Sequence, residues 1–186
     1  MTQGRPMRAD ARRNYERLLK VAAESFAEHG ENASLDDIAR RAGVGSGTLY
    51  RHFPTRQALL EAAYVDRIEA LGARADELAR ELPPGEALGE WLYELAVGTL
   101  QVRGMKALLG SAVADGGAAA CATTVKGAVT RLVVAAQAVG ALRADVEPID
   151  VLRLTHGVAS AAELAGTGEP EIRRYLGLLH EGLRAG

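Results

Sequence analysis

Cysteine is almost absent from this chain. Cys121 is the only one in 186 residues, so no intrachain disulfide framework exists, which suits a reducing compartment. Aromatics are also scarce: five tyrosines, two phenylalanines and one tryptophan make up 4% of the residues. With alanine, leucine and glycine abundant, that scarcity argues for helices over sheets. No uncharged apolar run reaches the roughly 20 residues that cross a bilayer, and the opening MTQGRPMRA holds no apolar secretory core. A soluble, cytoplasmic protein is expected. Catalytic and metal signatures are lacking too. His29, His52, His156 and His180 are scattered, Cys121 has no histidine at ligand spacing, and the carboxylates are dispersed as on solvated faces. No glycine-rich phosphate loop follows a strand. The expectation is no enzyme, no cofactor and no metal.

What is present is an uneven charge. The formal net charge is −2, but residues 1–56 carry 10 Lys/Arg against 7 Asp/Glu, a net of +3, and residues 57–186 carry a net of −5. A basic end on an acidic body suits one face turned to a polyanion. An imbalance of that size also arises by chance, so local pattern has to decide.

The deciding pattern is SLDDIARRAGVGSGTLYRHF, residues 34–53. Leu35, Ile38, Ala39 and Ala42 recur at i, i+3, i+4, i+7, the period of one helical face. Ser34 stands where an N-cap belongs, Asp36 and Asp37 suit the positive end of the dipole, and Gly43 is a helix terminator. Val44 reads as a plug between two packed helices. A second helix starts near Ser46, with Leu49 and Phe53 on one side. Its other side offers Ser46, Gly47, Thr48, Tyr50, Arg51 and His52: hydroxyls, a phenol, a guanidinium and an imidazole, with no carboxylate. So short a helix gains little stability alone and must be propped by neighbours. The pattern is a helix-turn-helix with the second helix as the reader. Thr48, Tyr50 and His52 suit phosphate oxygens; Ser46 and Arg51 suit base edges; Gly47 permits close backbone approach. A pair of packed surface helices with no such role is the plainer alternative.

The string SLDDIARRAGVGSGTLYRHFPTRQALL closely resembles the DNA-binding segment of the tetracycline-repressor (TetR) family. The likeness runs from about Asn14 to Tyr64 and includes Phe26, Gly30, Pro54, Leu59 and Leu60. It implies that Ser34, Thr48, Tyr50 and His52 contact phosphates and that Ser46 and Gly47 meet base edges or backbone. Arg56 stands where a lysine is common, keeping positive charge near the phosphates. Gly45 departs from a serine that often caps the reading helix.

Along the chain, residues 1–9 read as a flexible basic arm, of the kind that enters a minor groove. Helices are expected over about 10–29, 35–42, 46–53, 56–82, 86–101, 104–114, 119–139, 148–165 and 170–183. That is an all-α fold of about nine helices, with residues 1–56 as the arm and DNA-binding domain. Residues 57–186 would be an effector-binding and dimerisation domain. The helix over 56–82 would form a continuous rod of about 40 Å. The last two helices carry Leu152 and Ala159, then Ile172, Tyr175, Leu176, Leu179 and Leu183. They could pair with a second copy as a four-helix bundle, and the resemblance implies such a homodimer. Tyr64, Trp91, Tyr93, Met105, Leu108, Cys121 and His156 are candidate lining for a ligand cavity, though each also suits an ordinary core. The resemblance implies a small effector whose binding takes a repressor off its operator DNA. A sequence-indifferent architectural DNA-binding protein, and a helical ligand binder with a vestigial helix-turn-helix, are the competing readings.

Overall fold

The structure is a computed structural model that describes residues 5–113 and 120–184. Among these residues there are ten α-helices, one short 3-10 turn and no strand. The chain divides into two compact units, Met1–Val65 and Asp66–Gly186.

The first unit holds α1 (Arg5–His29), α2 (Leu35–Arg41), α3 (Ser46–His52) and α4 (Arg56–Ala63). α1 begins inside the segment expected to be a free arm. Pro6 lies in its first turn, where a missing amide costs nothing, and Met1–Gly4 lies outside the described residues. Gly30, at φ 54, ends the helix. Leu18, Ala22 and Phe26 of α1 are buried together with Ile38, Ala39, Leu49, Phe53, Leu59 and Leu60, and α1 packs on both α2 and α4. Each leucine, isoleucine and phenylalanine among them is worth roughly 1.5–3 kcal/mol when fully buried, so this small core is what holds the short α3 in place.

The rod expected over 56–82 is two helices. α4 stops at Ala63, Tyr64 leaves helical geometry (φ −120, ψ 14), and α5 runs Val65–Glu81. Tyr64 is buried, and its hydroxyl donates to the Ala23 carbonyl at 3.0 Å, which commits it to α1. With Leu59 and Leu60 buried on the same side, α4 belongs to the first unit. The compact unit therefore extends to Val65, beyond the division expected at residue 56.

The second unit holds the rest of α5 with α6 (Pro84–Gln101), α7 (Arg103–Val113), α8 (Ala120–Ala138), α9 (Pro148–Leu164) and α10 (Glu169–Leu183). α6 is its centre, with α7, α8, α9 and α10 all packed against it. Ala87, Leu88, Trp91, Leu92, Leu95 and Ala96 explain why, since all are buried along one broad face. Pro84, Pro148 and Pro170 each sit in the first turn of their helix, where proline's fixed φ is already suitable.

Candidate nucleic-acid interface

The turn between α2 and α3 is built by short-range chemistry. Ser34 caps α2, its Oγ accepting from the Asp37 amide at 3.3 Å. Gly43 follows the helix at φ 66, a left-handed conformation that a Cβ penalises. Arg17 reaches across from α1, and its Nε donates to the Ala42 carbonyl at 2.8 Å. A Cβ on Gly43 would lie 3.1 Å from the same guanidinium. Val44 is half-buried in the turn. Gly45 is the N-cap of α3 and supplies no side-chain cap, so the helix is held by its underside. Leu49 and Phe53 are buried there.

Everything else on α3 faces out. Ser46, Gly47, Thr48, Arg51 and His52 are exposed, and Tyr50 is 45% exposed. Among the described residues no hydrogen bond or ion pair occupies the side chains of Ser46, Thr48, Tyr50, Arg51 or His52. A Cβ on Gly47 would meet nothing within 4 Å, so the fold itself does not require glycine there. Ser34 is exposed on the same unit.

Arg56, expected near phosphates, is half-buried and has a partner within the chain. Its guanidinium donates to the Ala33 carbonyl and stands 5.9 Å from the centre of the Phe26 ring. Among the described residues its buried Nη1 has no partner. It ties the start of α4 to the loop before α2. Tyr15 stands at helical spacing with Leu18, Ala22 and Phe26 and so reads as core in the sequence, yet it is 41% exposed. Its ring stacks on Phe53 at 5.8 Å and meets His52 edge-on at 6.3 Å.

The candidate ligand residues are distributed over both compact units. Tyr64 belongs to the first unit. Trp91, Met105 and Leu108 are core residues, and the Trp91 indole donates to the Leu71 carbonyl at 2.9 Å. The side chain of Cys121 lies outside the described residues. Tyr93 is half-buried, with the Arg173 guanidinium 3.6 Å above its ring and its hydroxyl 3.3 Å from Glu169. Tyr93 and Met105 do share a groove of about 250 Å³ with Arg67, Leu71, Glu94 and Gln101. His156 lies elsewhere, facing Gly110 on α7. Burial, and then the charge of Lys106, pushes its pKa below the ordinary 6.5, and its Nδ1 is buried without a partner.

The dimer candidates are also redistributed. Leu152, Ala159, Ile172 and Leu176 are buried within their own chain, and Tyr175, Leu179 and Leu183 are half-buried. The outward apolar surface of α9 and α10 is carried by Leu154 (41% exposed), Leu164 (92%) and Leu178 (59%). Leu154, Gly157, Ala161 and Leu164 follow one another at spacings of three and four, a second helical stripe opposite the first. Among the described residues no group of His, Cys, Asp or Glu could hold a metal ion, and no helix is long and apolar enough to cross a membrane.

Residues 18–63 match the family model for bacterial regulatory proteins of the tetR family. Residues 83–185 match the model for the C-terminal domain of SbtR-like transcriptional regulators. The chain belongs to the TetR family. TetR-family proteins are DNA-binding transcription regulators and not enzymes, and α3 lies within the matched N-terminal region. A TetR regulator from Streptomyces coelicolor, SCO0520, is 38% identical, with 91% of this chain and 98% of that one covered and a TM-score of 0.56. A helix-turn-helix regulator of Staphylococcus aureus is 46% identical over 54 residues, 28% of this chain; that match spans 29% of the curated relative's length. FadR from Bacillus subtilis, solved with stearoyl-CoA, has a TM-score of 0.68 over 91% of this chain and all of that one. At 14% identity it shares the TetR fold alone.

Proposed function

We propose that this TetR-family chain is a ligand-responsive repressor. It binds a pseudo-palindromic operator as a homodimer and is released by a small-molecule effector. The observation that carries this reading is the exposed, carboxylate-free and unoccupied outer face of α3. Thr48, Tyr50 and His52, with Ser34, donate to phosphates and so fix register. Ser46 and Arg51 reach base edges in the major groove, and Gly47 lets the backbone come close.

A helix of seven residues reads only a few base pairs. Two copies on half-sites about 34 Å apart supply the rest. The exposed stripe of Leu154, Gly157, Ala161 and Leu164 on α9, with Leu178 on α10, supports that pairing, because an apolar stripe at helical spacing is what a partner helix covers. The effector enters the groove beside Tyr93 and Met105, where aromatic, thioether, carboxylate and amide groups meet. Release requires that it bind the off-DNA form more tightly than the operator-bound form. The protein works in the cytoplasm, where operator and effector are both present.

A gel shift with the DNA upstream of the protein's own gene tests the reading. Binding should be nanomolar in scale and fall steeply with salt. Equal affinity for unrelated duplexes at moderate salt would contradict it and favour a sequence-indifferent architectural role.

A further inference from the structure

A depression of about 360 Å³ lies on the first unit between α1, the Gly43–Gly45 turn and α3. Four polar side chains line it: Asn14 and Tyr15 from α1, Thr48 and His52 from α3. The remainder of its wall is Ala11, Leu18, Val44 and two glycines, with no acidic residue. All four can donate a hydrogen bond, and among the described residues none of those donors is used within the protein.

Their positions are set by contacts behind them. Asn14 Oδ1 accepts from the Arg17 guanidinium at 3.2 Å, which fixes the amide and leaves its Nδ2 free to donate. Tyr15 lies on the buried Phe53 ring with 27° between the planes, and crosses His52 at 69°. An exposed tyrosine clamped between two rings has little freedom left to lose on binding, so its hydroxyl is pre-organised.

A pocket of hydrogen-bond donors without carboxylates suits an anion. The anion already implied at Thr48 and His52 is the DNA backbone. We propose that α1 is part of the reading surface: Asn14 and Tyr15 join Thr48 and His52 to seat one backbone phosphate of the operator in this depression. This rests on the operator-binding reading above and adds a contact that sets how deeply α3 enters the groove. Tyr15 also acts as a positioning residue for His52.

The test uses the full chain and a duplex that the wild-type chain selects from a random pool. Tyr15→Phe keeps the ring stack and removes only the hydroxyl. Asn14→Asp keeps the acceptor for Arg17, removes the donor and brings a like charge to the phosphate. Tyr15→Phe should weaken binding roughly 10-fold, as loss of a hydrogen bond to a charged group does, and Asn14→Asp by more. For Tyr15→Phe the loss should be equal on every operator variant, since a phosphate contact carries no sequence information. The salt slope should not change, because a neutral hydroxyl releases no counterion. The loss should disappear on a duplex with a single methylphosphonate at the contacted phosphate, a coupling that a purely structural role for Tyr15 would not produce. Wild-type affinity in both variants, or a loss uncoupled from any one phosphate, overturns the proposal. Tyr50→Ala and Arg51→Ala, both outside the depression, separate the two levels. If they weaken binding while Tyr15→Phe and Asn14→Asp do not, only the phosphate seat fails. If they too are silent, or the wild type selects no duplex, the operator reading fails and the seat with it.

Discussion

Replacing Arg56 with alanine separates an anchoring role from DNA contact. The side chain gives a charged hydrogen bond to the Ala33 carbonyl, worth about 1.5–3 kcal/mol. Its approach to Phe26 at 5.9 Å adds about 0.5 kcal/mol, the low end for a cation over a ring. Against this, Nη1 is buried without a partner, and removing it recovers about 1 kcal/mol of desolvation cost. The net expectation is a loss of about 1–2.5 kcal/mol. Urea denaturation followed by helical circular dichroism measures it. Hydrogen exchange should quicken at the first turn of α2, which the Ala33 loop leads into. Operator affinity, measured under conditions where the variant is folded, should keep the wild-type salt slope. A phosphate-contacting arginine would behave oppositely, with stability unchanged and the slope smaller by about one. That outcome would refute the structural role given to this residue.

Gly43→Ala should cost about 1–2 kcal/mol by the same denaturation assay. The residue is left-handed at φ 66, which a Cβ penalises, and Arg17 must also yield. Leu178→Glu should leave the chain folded, because this leucine is 59% exposed, yet shift a dimer toward monomer in sedimentation; an unchanged sedimentation profile would remove α10 from the interface. His156 contributes a pH dependence of fixed sign. Its folded pKa is lowered by burial and by Lys106, which pairs with Glu163, so the unfolded chain binds the proton more readily. Stability is full above the ordinary 6.5, falls as pH drops toward the lowered folded value, and levels below it. In paired denaturation curves His156→Gln should lack that decline.

The elements that carry local punctuation were legible in the sequence. Ser34, Gly43 and the spacing of Ile38, Ala39 and Leu49 define α2 and α3 within a few residues, and Pro148 and Pro170 open their helices where proline fits. What stayed hidden was set at long range. Arg56 turns inward because of a carbonyl 23 positions away, and nothing near it in the sequence says so. Tyr64 interrupts a run containing neither glycine nor proline, and the carbonyl it reaches is 41 positions back. α9 is apolar on two sides, so Leu152 and Leu154 were equally good surface candidates until packing chose one. Tyr15 was lost for a similar reason: an aromatic at helical spacing reads as core, and only the position of Phe53 and His52 shows that it stands at the rim.

Methylation interference on the selected duplex tests the outward α3 most directly. Guanine N7 lies in the major groove and adenine N3 in the minor groove. Guanine methylation should block binding in two clusters spaced by a whole number of helical turns, and Ser46→Ala or Arg51→Ala should erase part of that pattern without unfolding the chain. Interference from adenine N3 alone, or none at any position, would contradict a reading helix seated in successive major grooves.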